Sequence, residues 1–208
     1  YVEQVVLTER QIAIIEAYLK LSEKIGVANV TLQKLAEEMG ASLGSIHYHF
    51  GAKGRPSLLD SAIKHVSQES IKYINYHMDR ALAEGRFSGV GTYIGILYDF
   101  CRAFPHHGKF WLYFYYLAIF DSKHRHENQA YLPLMRSRIE QVLVLGMGKG
   151  IYPPLKKLDE LSEKIHFQII GALVISGGDE TDQRYIRAQE RAIETSEFII
   201  GAHAESEQ

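Results

Sequence analysis

Twenty residues, Thr31 to Phe50 (TLQKLAEEMGASLGSIHYHF), constrain this chain more than any other stretch. Thr31 is a good helix N-cap, and Leu32, Leu35, Ala36 and Met39 repeat at helical spacing as far as Gly40. Ser42 then opens a second helix after a very short turn. Two short helices joined through a glycine turn form a helix-turn-helix pattern, with Leu35, Ala36, Met39 and Ile46 buried to set the crossing angle. The second helix of such a pair offers its first turn to a DNA major groove. Reading base edges there needs small residues for close approach and a few hydroxyl or ring donors, which Ser42, Leu43, Gly44, Ser45, His47 and Tyr48 supply.

The rest of the chain also reads as helix. Thr8-Glu9-Arg10-Gln11 has the capping-box form, and Ile14, Ala17, Tyr18, Leu21 and Ile25 share one face before Gly26. Pro56 suits the first turn of a long helix carrying Leu59, Ile63, Val66, Ser70, Ile74 and Met78 and fading near Gly85. Further helices are predicted over 88–104 (stopped by Pro105), 110–120, 129–147, 158–175 and 182–200, with the polar stretch Asp121 to Asn128 as a loop. With five prolines and few Val-Thr alternations, the expectation is an all-α fold of about nine helices. An N-terminal helix-turn-helix head over 1–54 would join a larger ligand-binding and dimerisation domain over 55–208. A chain of 208 residues buries about 70% of its unfolded surface and folds without disulfide or metal.

Over residues 10 to 66 the sequence resembles the TetR family of bacterial transcriptional regulators. The likeness is carried by the first helix ending in Gly26, Thr31 opening the next, Leu35-Ala36, Met39-Gly40, Ser42-Leu43-Gly44-Ser45-Ile46, the aromatic run to Phe50, and Lys53. The resemblance implies that Thr31 caps onto a backbone phosphate, that Leu43 to His47 meet bases, and that His49 and Lys53 clamp phosphate. It departs from the family pattern in having His47 and His49 where tyrosines are usual, with Tyr48 in the variable place between them, and in extra residues around Gly54 to Pro56.

A net charge of -2 argues at first against a polyanionic partner. Local counting reverses that reading: from Ala41 to Val66 the only acidic residue is Asp60, against Lys53, Arg55 and Lys64. The positive field is confined to the reading helix and its exit, so binding should depend on a matched double-stranded operator and on two copies of the head.

Eleven aromatic residues lie between Tyr93 and Phe120. Most such aromatics fill core. The functional reading is that Tyr93, Leu97, Phe104, Trp111, Phe114 and Tyr115, with Ile74 and Met78 from the long helix, line an apolar pocket for a lipophilic or aromatic effector. His166, beside Phe167, reads as a buried, hydrogen-bonded histidine. The close histidine pairs His47/His49, His106/His107 and His124/His126 lack the i, i+4 spacing of helical zinc sites, so no metal or other cofactor is expected. A metal- or haem-responsive regulator of the same fold is the alternative, with a non-DNA protein-interaction module behind it.

Near the C-terminus, Leu161, Ile165, Ile169 and Ala172 form one apolar stripe, and Gln189, Ala192, Ile193, Ser196 and Ile200 another. Two such helices from each of two chains would make a four-helix bundle on a two-fold axis, and the family resemblance implies the same homodimer. The single cysteine, Cys101, excludes an intramolecular disulfide. No apolar run approaches a membrane span, and the opening residues lack the pattern of a signal peptide, so the expected location is the cytoplasm. No Ser-His-Asp context, catalytic carboxylate pair or phosphate loop suggests an enzyme.

Overall fold

The computed structural model describes residues 6–51, 57–176 and 183–206. Among these residues there are nine α-helices, one 3-10 turn and no strand. Side-chain caps set the early boundaries. The Thr8 hydroxyl accepts from the Gln11 N–H at 3.3 Å while Gln11 Oε1 accepts from the Thr8 N–H at 3.0 Å, which starts α1 (Glu9–Ile25). After the 3-10 turn at Val27–Asn29, the Thr31 hydroxyl accepts from the Lys34 N–H and opens α2 (Leu32–Glu38). Gly40, at φ 58°, makes the left-handed turn. Ser42 then accepts from the Ser45 N–H at 3.2 Å and opens α3 (Leu43–Phe50).

Ser57 caps the 26-residue α4 (Leu58–Ala83) through the Asp60 N–H; Pro56, read as the residue that starts this helix, lies outside the described residues. There follow α5 (Val90–Ala103), α6 (Pro105–Phe120), α7 (Ser122–Gly148), α8 (Leu158–Ser176) and α9 (Gln183–Ser206). Two stretches differ from the sequence reading. Pro105 both ends α5 and begins α6, because a proline at the first helical position loses no hydrogen bond. The expected loop Asp121 to Asn128 is the beginning of α7: Asp121 Oδ1 accepts from the N–H groups of Lys123 and His124 at 2.8 and 3.1 Å. Its polarity marks a solvent-facing surface, while His124 and Tyr131 turn inward.

Two clusters of buried side chains organise the molecule. The head cluster joins Ile14, Ile15 and Leu19 of α1 to Leu35, Ala36, Ile46 and Phe50 of the helix pair. It continues into Leu58, Ala62, Ile63 and Val66 of α4, Phe110 and Phe114 of α6, and Tyr131 of α7. The body cluster packs α5, α7, α8 and α9 around Ile94, Tyr98, Leu143, Leu161 and Ile165, and takes Ile74 from α4. Each buried Leu, Ile, Val or Phe among them contributes about 1.5–3 kcal/mol by burial. Helix α4 thus belongs to both cores, its N-terminal half to the head and its middle to the body.

The segment after α7 is locked by Tyr152, whose Oη accepts from the Val90 N–H at 2.7 Å and donates to Glu197 at 2.9 Å. Gly89 and Gly146 make room for it, since a Cβ at either position would overlap the tyrosine side chain. Pro153 and Pro154 then carry the chain to α8.

Candidate nucleic-acid interface and ligand cavity

Helix α3 is held to the head core by Ile46 and Phe50, both buried. With that face fixed, the helical period turns Ser42, Leu43, Gly44, His47 and Tyr48 outward, Tyr48 to 66% exposure, with Ser45 and His49 half-buried at the edge. Gly44 keeps the first turn low: a Cβ there would meet only Ser42 Oγ, at 3.9 Å. Thr31 is exposed at the start of α2, and the Tyr48 and His49 rings meet edge to face at 5.1 Å. Lys53 lies outside the described residues. Asp60, the one acid of the stretch from Ala41 to Val66, is neutralised locally, because Lys123 Nζ sits 2.8 and 2.7 Å from its two oxygens. Burial pushes the Asp60 carboxyl up, but the bonds from Lys123 and Ser57 outweigh it and hold the carboxyl below its usual range. The result is an exposed, small-residue helix turn on a rigid support.

Behind the head, α4, α5, α6, α7 and α8 enclose a cavity of about 80 Å³. Its wall includes Val66, Ser67, Ser70, Ile71 and Ile74 of α4, Tyr93, Leu97 and Phe100 of α5, Trp111, Tyr131, Leu134, Met135, Arg138 and His166. Of the residues expected to line a pocket, Ile74, Tyr93, Leu97 and Trp111 lie on this wall. The other four residues expected there do not line it. Phe114 is buried in the head cluster, packed on Trp111 and Tyr131. Phe104 stands half-exposed over the head–body junction, stacked on His107. Met78 lines a separate shallow groove one turn beyond Ile74, and Tyr115 backs the wall. Helical spacing identified the apolar face of each helix but not which neighbour that face meets.

The polar groups of this cavity are few. Tyr115 Oη donates to Met135 Sδ at 3.3 Å and also lies 3.3 Å from His166 Nε2. His166 is buried and hydrogen-bonded as expected, but it faces the cavity, and its Nδ1 has no protein partner. Burial, aided by the charge of Arg136, lowers the His166 imidazole to about 4, so it is neutral near pH 7. Arg138 supplies a cationic group at the wall.

Most of the stripe expected at a dimer interface lies inside the chain. Leu161, Ile165, Ile169, Ala192, Ser196 and Ile200 are buried within one chain, where α8 and α9 pack on each other and on α5 and α7. Ala172, Gln189 and Ile193 are half-buried; Gln189 accepts from Arg102, and Ile193 packs beside Gly91 of α5. The outward apolar residues of these helices are instead Phe167, Val174, Ile175 and Ile186, with Phe198 at 75% exposure. Gly171 and Gly201 stand open on the same two helices.

One grouping was invisible in the sequence. Glu16 of α1 accepts from His65 Nε2 of α4 at 2.6 Å, from His107 Nε2 of α6 at 2.9 Å and from His106 Nε2 at 3.3 Å. Burial opposes ionisation of Glu16, yet these imidazoles together hold its carboxyl far below the usual range. Asp60, His124 and Glu127 form a second grouping, at the α4–α7 contact.

No sequence-family model matches the chain, and no curated protein matches it. Solved structures do. The fatty acid degradation regulator FadR from Bacillus halodurans superposes with a TM-score of 0.71 at 11% identity, over 95% of this chain and 97% of that one. A transcriptional regulator from Rhodococcus gives 0.69 at 14% identity, over 96% and 97%. A TetR transcription regulator from Haloarcula marismortui gives 0.67 at 16% identity, over 95% and 99%. Head and body together thus have the fold of these regulators along nearly their whole length.

Proposed function

We propose that this chain, built on the TetR-regulator fold, is a homodimeric DNA-binding transcriptional regulator. It would repress from a palindromic operator until a lipophilic or aromatic small molecule enters the body. One observation supports this reading above the others: the exposed turn of α3 rests on a core that shares α4 with the wall of an apolar cavity. In this proposal Ser42, Leu43, Gly44, Ser45, His47 and Tyr48 read bases, while Thr31, His49 and Lys53 hold phosphates. Residues 1–54 form the reading head and 55–208 the sensing and pairing body.

The cavity suggests how the signal travels. At about 80 Å³ it holds only a few water-sized groups, so an effector with an aromatic or acyl body must displace a wall. Four of the five α4 wall residues, Ser67, Ser70, Ile71 and Ile74, lie beyond the segment of α4 that packs with the head. Moving that 26-residue helix, about 39 Å long, at its middle would tilt its head-bound end. In a two-fold dimer both heads move, and a half-site spacing of about 34–36 Å is no longer matched. Effector and DNA then oppose one another by reciprocal coupling. Arg138 and the Tyr115–His166 pair suit an effector with one anionic or hydrogen-bonding group on an otherwise apolar body.

Pairing would use the outward faces of α8 and α9, where Phe167, Val174 and Phe198 are exposed and Gly171 and Gly201 allow close approach. Among the described residues no helix is long and apolar enough to cross a membrane. The direct test is selection from a random duplex library followed by anisotropy titration. A two-fold-symmetric enriched site bound by a dimer is expected; enrichment of no symmetric sequence refutes the proposal.

A further inference from the structure

We propose that Glu16, His65 and His107, with His106 at the margin, form a binding site for a divalent transition-metal ion that clips α1 of the head to α4 and α6 of the body. One ligand atom from each of the first three residues lies within 4.8 Å of the others. The two imidazoles are almost fully buried and meet edge to face at 5.8 Å, so packing has already fixed their directions. Glu16 is 29% exposed and retains freedom to adjust. In a tetrahedral site with bonds of about 2.0–2.1 Å the donors stand roughly 3.3 Å apart. Against present separations of 2.6 and 2.9 Å, the carboxylate need withdraw by less than about 1 Å.

The donor set is one a transition-metal ion uses. Three imidazole Nε2 atoms converge on the single carboxylate of Glu16. A divalent cation uses the lone pairs of neutral imidazoles and the carboxylate charge at once. Imidazole with one carboxylate selects zinc, cobalt, nickel or copper(II) over magnesium or calcium, which prefer all-oxygen sites. A surface cleft bordered by Ile12, Glu16, His65, Tyr73 and Phe104 gives an ion a way in. The other acid–histidine grouping is a poorer site, because Lys123 already occupies both oxygens of Asp60.

The consequence for operator affinity rests on the regulator reading above; the binding of metal does not. The test is calorimetry of the chelator-treated full chain with zinc, plus the visible spectrum with cobalt. One zinc per chain is expected, with a cobalt spectrum of four-coordinate type. His65→Gln and His107→Gln should each weaken zinc binding by about 100-fold or more, since loss of a ligand costs at least as much as loss of an outer-shell partner. Asp60→Asn should bind zinc unchanged. Glu16→Gln, a surface-edge change, repeats the test should a histidine variant unfold by circular dichroism. No saturable zinc binding to the wild type, affinity unchanged in both histidine variants, or loss in Asp60→Asn overturns the site. Because none of these readouts involves DNA, failure to bind an operator would count against the regulator reading alone.

Discussion

His166 offers a quantitative test of how the cavity is built. Its imidazole lies against the cavity with Nδ1 unpartnered and Nε2 near Tyr115 Oη, and burial lowers it from 6.5 to about 4. In the unfolded chain it titrates normally. Between pH 6.5 and 4 the unfolded state therefore holds a proton that the folded state does not, and stability falls as pH falls through that window. Above pH 6.5 both states are neutral, and below about 4 both are charged, so the slope vanishes at each end. At about 1.4 kcal/mol per pH unit, the drop from pH 7 to pH 5 amounts to roughly 2 kcal/mol from this residue. Urea unfolding followed by the fluorescence of Trp111, the only tryptophan, measures it at a single protein concentration. His166→Leu should lie within about 1 kcal/mol of wild type at pH 7, having lost one hydrogen bond. It should then lose roughly 2 kcal/mol less than wild type on acidification. Groups titrating elsewhere cancel in that difference. Parallel pH profiles for the two proteins would show that His166 is solvated or charged and that the cavity wall is wrongly understood.

Other consequences can be checked as directly. Tyr48→Ala and His47→Ala should each weaken binding to the selected operator by about 1–3 kcal/mol while leaving the melting temperature unchanged, because both side chains are exposed beyond the head core. Gly146→Ala should destabilise the protein by about 1–3 kcal/mol in denaturant unfolding, as its methyl group would overlap the Tyr152 ring. Phe198→Glu combined with Phe167→Glu should shift the protein from dimer to folded monomer in sedimentation. The same charge placed at Ile165, which is buried within the chain, should instead prevent folding.

The parts of this protein that were legible in its sequence are those set by neighbours along the chain. Thr8, Thr31 and Ser42 announce their helices because a cap acts within three residues, and Gly40 marks a turn because its φ is positive. The exposed face of α3 followed from the same local rules: once Ile46 and Phe50 are inside, the helical period alone places His47 and Tyr48 outside. What was not legible depends on which helix lies against which. The α8 and α9 stripes were correctly seen as needing a partner, but a stripe does not say whether that partner is another helix of the same chain. Ile165 and Ala192 are buried against neighbouring helices of the same chain, which leaves Phe167 and Phe198 as the exposed apolar residues of these two helices. Asp121 misled for a related reason, since a polar run reads the same whether it is a loop or the wet side of a helix, and only its bonds to Lys123 and His124 decide. The Glu16 cluster is the limiting case. Its members come from three helices, with His65 and His107 lying 49 and 91 positions after Glu16, so no spacing rule can find them. That leaves the junction between head and body, where α1, α4 and α6 meet, as the place where the tertiary fold adds chemistry that the linear motif lacks.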